Sequence, residues 1–199
     1  MAFWRSSSQP SDSPAGHLRP PVALALQGGG AYGAFAWGVL DRLLDEPDFV
    51  PGAISGASAG AINGVITAWG YLQGGRDGAR RALRQLWDTV GQLSLLSPSD
   101  LPGFDVQLEF LTRLVSPYQF NPLNINPLRE ALSDMVDFGR LCAEGVIPLF
   151  ISATDVSTGQ QRIFREDEIT IDVLMASSCL PSLCQAVEIG RGDFRTIAA

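Results

Sequence analysis

Two glycine turns, each set between a short apolar run and a helical pattern, constrain this chain more than any other feature. Val22 to Leu26 is apolar and leads into Gly28-Gly29-Gly30-Ala31-Tyr32-Gly33. A helical spacing follows, with Phe35, Val39, Leu40, Leu43 and Leu44 on one face and Asp41, Arg42, Asp45 and Glu46 on the other, and Pro47 closes it. Ala53 to Gly56 is again short and apolar, and Gly56-Ala57-Ser58-Ala59-Gly60 opens a helix of small residues through about Leu72. Gly74-Gly75 breaks that helix, and Arg76 to Val90 reads as an amphipathic one with Ala79, Leu83, Leu86 and Val90 inward. Repeated strand–turn–helix units are accommodated by strands lying side by side with helices packed on the sheet. The predicted class is therefore an α/β layered fold with a largely parallel sheet.

The remainder continues the alternation less regularly. Ser94 to Phe104 and Ser116 to Pro127 are rich in Pro, Ser and Asn and flank a short helix from Asp105 to Val115. A helix from Pro127 to Met135 starts with Pro in its first turn. Strands are expected from Val146 to Thr154 and from Gln160 to Arg165, joined through Ser157-Thr158-Gly159. A helix from Ile169 to Ser178 stops at Pro181, and Ala186 to Ile189 begins another strand. Residues 1–21 are Ser/Pro-rich, lack the apolar core of a secretory signal, and read as a disordered leader; residues 22–199 read as one domain. No charge occurs from Phe49 to Gly75, a length that would cross a bilayer. Pro51, the glycines, and polar Ser55, Ser58, Asn63 and Gln73 fit a buried strand, turn and helix better. The expected location is cytoplasmic, with peripheral membrane contact at most.

Composition narrows the chemistry. The chain has 14 basic and 21 acidic side chains, a net charge of −7, which argues against nucleic acid as a partner. Cys142, Cys179 and Cys184 are odd in number and lack metal-site spacing, so inert thiols are expected and neither metal nor cofactor is. The single histidine, His17, lies in the leader, and the chain has no lysine at all. A Ser–His–Asp triad and a Ser–Lys pair are both excluded from the folded part.

Gly28 to Gly33 fits G-x-G-x-x-G, which in one reading holds a dinucleotide pyrophosphate. That reading requires an acid after the next strand, and Ile54-Ser55-Gly56-Ala57-Ser58 offers none. The same glycine amides also suit an oxyanion, and a bare tight turn satisfies the pattern too. Gly56-Ala57-Ser58-Ala59-Gly60 is G-x-S-x-G, which places a serine on a sharp strand-to-helix turn. An anion-binding backbone beside a candidate serine nucleophile suggests acyl transfer to water, with aspartate as the available base.

Together these residues resemble the patatin-like phospholipases, which combine a G-G-G-x-[RKAY]-G loop, a G-x-S-x-G serine and a late D-G-[GA] aspartate. Ser152 to Gly159 and Ala176-Ser177-Ser178-Cys179-Leu180-Pro181 also look like the family's later strand and helix, so the resemblance spans about residues 22–189. It implies a three-layer sandwich and a lipid acyl hydrolase without cofactor. Ser58 is then the nucleophile, the amides of Gly28, Gly29 and Gly30 the oxyanion hole, and Gly33, Gly56 and Gly60 motif glycines. It also implies that Asp155, at a strand end, is structural.

The sequence departs from the family at its end. No D-G-[GA] follows Ala186 to Ile189; Asp193 is the only late aspartate and Phe194 follows it. Asp77-Gly78-Ala79 matches literally but lies between two helices and reads as a surface turn. The resemblance thus implies a domain incomplete at its C-terminus and weak activity or none. A non-catalytic lipid-binding protein of the same fold, and more remotely a nucleotide-binding oxidoreductase, remain as alternatives. Trp87, Leu95, Leu96, Phe104, Phe110, Tyr118 and Phe120 are expected in core packing, a lid or an acyl pocket. With a net negative charge, contact with a membrane would be apolar and transient.

Overall fold

A computed structural model describes residues 20–95, 126–179, 185–190 and 195–197. Strand β1 (Val22–Leu26) ends at the first glycine loop, a short 3-10 turn spans Gly30–Tyr32, and helix α1 covers Gly33–Asp45. Strand β2 (Pro51–Ala57) delivers Ser58, and a long helical stretch runs from Ala59 to Leu95. Gly74 and Gly75 leave helical geometry (φ −169° and 59°), so this stretch is two helices, α2 (59–73) and α3 (76–95), broken at the expected place. Helices α4 (Pro127–Met135) and α5 (Phe138–Glu144) precede strand β3 (Leu149–Asp155) and strand β4 (Gln161–Arg165). Helix α6 (Ile171–Ser178) and short strands β5 (Val187–Glu188) and β6 (Arg195–Ile197) complete the order.

β1, β2 and β3 pair in parallel, and β4 returns antiparallel to β3 through the expected turn. β6 pairs antiparallel with both β3 and β5, so β1, β2, β3 and β5 all point the same way. This is the mostly parallel sheet of an α/β fold. Along β3, burial alternates residue by residue, with Leu149, Ile151 and Ala153 inward and Phe150 and Ser152 half-exposed. Ile54 and Phe164 share the packed face. Ala25 and Ile163 are exposed on the other, as the two-residue period of a strand requires.

α2 is the hub. Every residue from Ala59 to Gly70 is buried, and Ala61, Val65 and Ile66 join the core with Leu40, Leu83, Leu149 and Val173. A helix apolar all round belongs inside a protein or a bilayer. No helix among the described residues is long and apolar enough to cross a membrane, and the uncharged stretch is a buried strand, turn and helix.

α1 packs on α3 with part of the face its spacing suggests. Leu40 and Leu44 are buried and Trp37 stacks on Trp87 (centroids 6.3 Å apart, 9° between planes). Phe35 and Val39 instead point outward, at 78% and 45% exposure. The Trp37 stack turns that side of the helix inward, and Phe35 lies half a turn or so away from it. Arg80 on α3 fixes the same pair of helices, donating to Asp41 (2.9 and 3.2 Å) and Asp45 (2.7 Å). Its hydrogen bond holds the Asp41 carboxyl below the usual carboxylate range.

α5 has no counterpart in the sequence reading, which missed its Asp137 cap: Oδ1 accepts the Arg140 N–H at 2.9 Å. β6 was likewise not expected. The leader through residue 19, the 105–115 helix, Leu96, Phe104, Phe110, Tyr118, Phe120, Cys184 and Asp193 lie outside the described residues. The Cys142 and Cys179 thiols donate to the carbonyls of Ile169 and Gln185, and burial pushes the Cys142 thiol up.

Candidate functional site

The pairing of β1 with β2 sets the geometry. Leu26 lies opposite Gly56 in parallel register, so the residues that follow each strand, the Gly28–Gly30 loop and Ser58, emerge side by side. Ligand sites of parallel sheets sit at this carboxyl edge. A β-carbon added at Gly60 would run into the Leu26 carbonyl oxygen, so the last glycine of G-x-S-x-G lets α2 start directly against β1. Gly29 and Gly30 both have positive φ, 149° and 56°, a path that side-chain-bearing residues seldom follow.

Ser58 is the only non-glycine residue with positive φ (52°) among the described residues. That conformation costs on the order of 1–3 kcal/mol and persists only where surroundings impose it. Its carbonyl accepts the Ile62 N–H (3.1 Å), opening α2, and its own N–H donates to Ser177 Oγ at 2.9 Å.

Ser58 faces a cavity of about 320 Å³ whose walls are mostly apolar: Ala31, Ile62, Leu86, Trp87, Val90 and Leu128, with Gly30 and Ser178. Trp87, expected in core, lid or pocket, thus lines this cavity. The Ser178 hydroxyl is buried and has no hydrogen-bond partner among the described residues. An orphaned hydroxyl in a cavity wall is a group that a bound molecule or water can satisfy.

A buried amide ties the two glycine motifs together. Asn63, fully buried on α2, donates to the Gly33 carbonyl (3.0 Å) and accepts from Trp87 Nε1 (3.0 Å). The loop preceding α1, the helix after Ser58 and the cavity wall are therefore one hydrogen-bonded unit. Sequence reasoning missed Asn63 and Ser177; an uncharged amide at the second turn of an otherwise apolar helix was the available signal for the first.

The aspartates separate clearly. Asp155 ends β3 and its Oδ1 accepts from the Ser157 N–H (2.8 Å), the Ser157 hydroxyl (2.6 Å) and the Thr158 N–H (3.2 Å). These bonds, the Ser157 hydroxyl first, hold its carboxyl below the usual range, and they close the turn into β4. Asp77 lies in the first turn of α3 and borders a different depression, with Asp45, Arg76 and Arg80. No carboxylate lines the Ser58 cavity among the described residues, and no cluster there is suited to a metal.

No curated protein matches the chain at a significant level. Among solved structures it is similar to VipD from Legionella pneumophila (17% identity, TM-score 0.50, covering 88% of this chain and 45% of that one). It is also similar to a chain of the ExoU–SpcU complex of the type III secretion system of Pseudomonas aeruginosa (20% identity, TM-score 0.39, covering 80% and 36%). The chain thus spans less than half the length of either. The first likeness supports the fold. The sequence profile described as patatin-like phospholipase matches residues 24–194, from β1 to beyond β5, and includes both glycine motifs. The chain belongs to the patatin-like phospholipase family.

Proposed function

We propose that this chain is a serine acyl hydrolase acting on lipid esters, with Ser58 as nucleophile. The observation that carries the reading is the contact between the Gly28–Gly30 loop and a positive-φ Ser58 at the mouth of an apolar cavity. In the reaction, Ser58 Oγ bonds to the ester carbonyl carbon and loses its proton to a base. The carbonyl electrons move to oxygen, and the amides of Gly28, Gly29 and Gly30 stabilise that charge. Collapse expels the alcohol, which takes up the proton, and water then releases the acid from the acyl-serine. Ile62, Leu86, Val90 and Leu128 offer an acyl chain a dry wall, worth about 0.8 kcal/mol per buried CH₂.

Aspartate is the base that the composition allows, and Asp193 is the late candidate. Catalytic groups that act as a unit lose orders of magnitude when one is missing. Phe194 follows Asp193 where the family's late motif has a glycine, so the 199-residue chain should turn esters over slowly. The same observation favours the second reading, a lipid-binding protein that does not cut.

Tyr32 and Phe35, 85% and 78% exposed, follow Gly30 and Ala31 of the cavity wall, with Val39 one turn on. An exposed apolar stripe of this kind suits transient contact with a lipid surface. Hydrolysis of short- and long-chain p-nitrophenyl esters by the native chain and Ser58→Ala tests the proposal. Slow turnover that Ser58→Ala abolishes is expected. Turnover equal in both refutes the nucleophile, and robust turnover refutes the argument from the base.

A further inference from the structure

Ser177, 1% exposed near the end of α6, takes no part in the reaction, yet its Oγ accepts the Ser58 N–H at 2.9 Å. The first amides of a helix have no intrahelical acceptor, and the residue just before α2 shares that deficit. Here the missing acceptor comes from a side chain 119 residues further along. Ser177 sits among buried Val173, Leu174, Met175 and Ala176, on a helix that packs against β3 and α2, so its position is set by core packing.

We infer that Ser177 is a positioning residue, which pins the Ser58 amide and thereby holds the elbow in the conformation that presents Oγ to the cavity; this rests on Ser58 being the nucleophile. Two observations sharpen it. Ser177 does not line the cavity, whereas its neighbour Ser178 does, so its effect reaches substrate only through Ser58. The bond also occupies the Ser58 N–H, leaving the Gly28–Gly30 loop to supply the oxyanion donors. Without the acceptor, the peptide preceding Ser58 is free to rotate, and the strained φ of 52° has one restraint fewer.

The test follows the full chain by NMR with ¹⁵N-serine, reading amide hydrogen exchange at Ser58 with Ser55 and Ser152 as references. It is paired with the rate at which a long-chain fluorophosphonate modifies Ser58. Ser177→Ala should speed Ser58 exchange about tenfold and slow modification about tenfold, with probe affinity and the reference amides unchanged. Ser177→Cys, close in size but a poorer acceptor, should fall between. Exchange and modification at native rates in both variants would overturn the inference. Absence of modification in the native chain removes the nucleophile reading, while the exchange rates decide the amide bond independently.

Discussion

A β-carbon placed on Gly28 would stand 3.0 Å from the β-carbon of Ser58 and 3.1 Å from the Ala57 carbonyl oxygen. The loop and the serine are thus in contact across two adjacent parallel strands, and a methyl group fits between them only if one of the two gives by a few tenths of an ångström. Gly28→Ala should push the loop away from the carbonyl it would serve. Losing an oxyanion donor costs about a hundredfold or more in rate. Fluorophosphonate modification of Ser58 should slow by about that factor, with the melting temperature shifted by only a few degrees. A native rate would show that the loop is not part of the reaction.

Asn63 hydrogen-bonds two groups from separate elements, the Gly33 carbonyl and Trp87 Nε1. Asn63→Leu keeps the volume and removes both bonds, each worth about 1–3 kcal/mol where its partner stays buried. Urea unfolding should show a loss of about 2–4 kcal/mol. A loss below 1 kcal/mol would mean that water replaces the amide.

The Asp155 carboxyl is held below its unfolded value by its turn hydrogen bonds, so its contribution to stability is complete above the unfolded value. It is lost as pH falls through the folded one, that is, below about pH 4. Asp155→Asn should therefore be less stable than the native chain at pH 7, with the gap closing toward pH 3. A gap that stays constant between those pH values would contradict this role.

The two glycine motifs, the break at Gly74-Gly75 and the Pro127 helix start were legible because each depends on local backbone chemistry. The largely parallel pairing followed from the same units, since parallel strands need crossovers. What was not legible depends on contacts between distant segments. The spacing of Phe35 and Val39 suggested burial with Leu40 and Leu44, but the stack of Trp37 on Trp87 turned the buried face away from those two. Ser177 looked like part of a helix end, and only the fold brings it to the Ser58 amide. The Asp137 cap of α5 was present in the sequence and went unread.

The outward Tyr32 and Phe35 offer a direct check on lipid contact. Burying one large apolar side chain is worth about 1.5–3 kcal/mol. The double variant Tyr32→Ser, Phe35→Ser should bind neutral phosphatidylcholine vesicles at least about tenfold more weakly in a flotation assay. Its Ser58 modification by a short, soluble fluorophosphonate should be unchanged. Equal vesicle binding would remove the stripe from the account.

Whether Ser58 is a nucleophile held ready for acyl transfer is decided by the intact mass of the native chain after prolonged exposure to a long-chain fluorophosphonate, with the adduct mapped by peptide sequencing. One adduct on Ser58, absent from Ser58→Ala, is the expected result. A chain that stays unmodified, or carries its adduct on another serine, would contradict the assignment and leave a lipid-binding protein of the same fold.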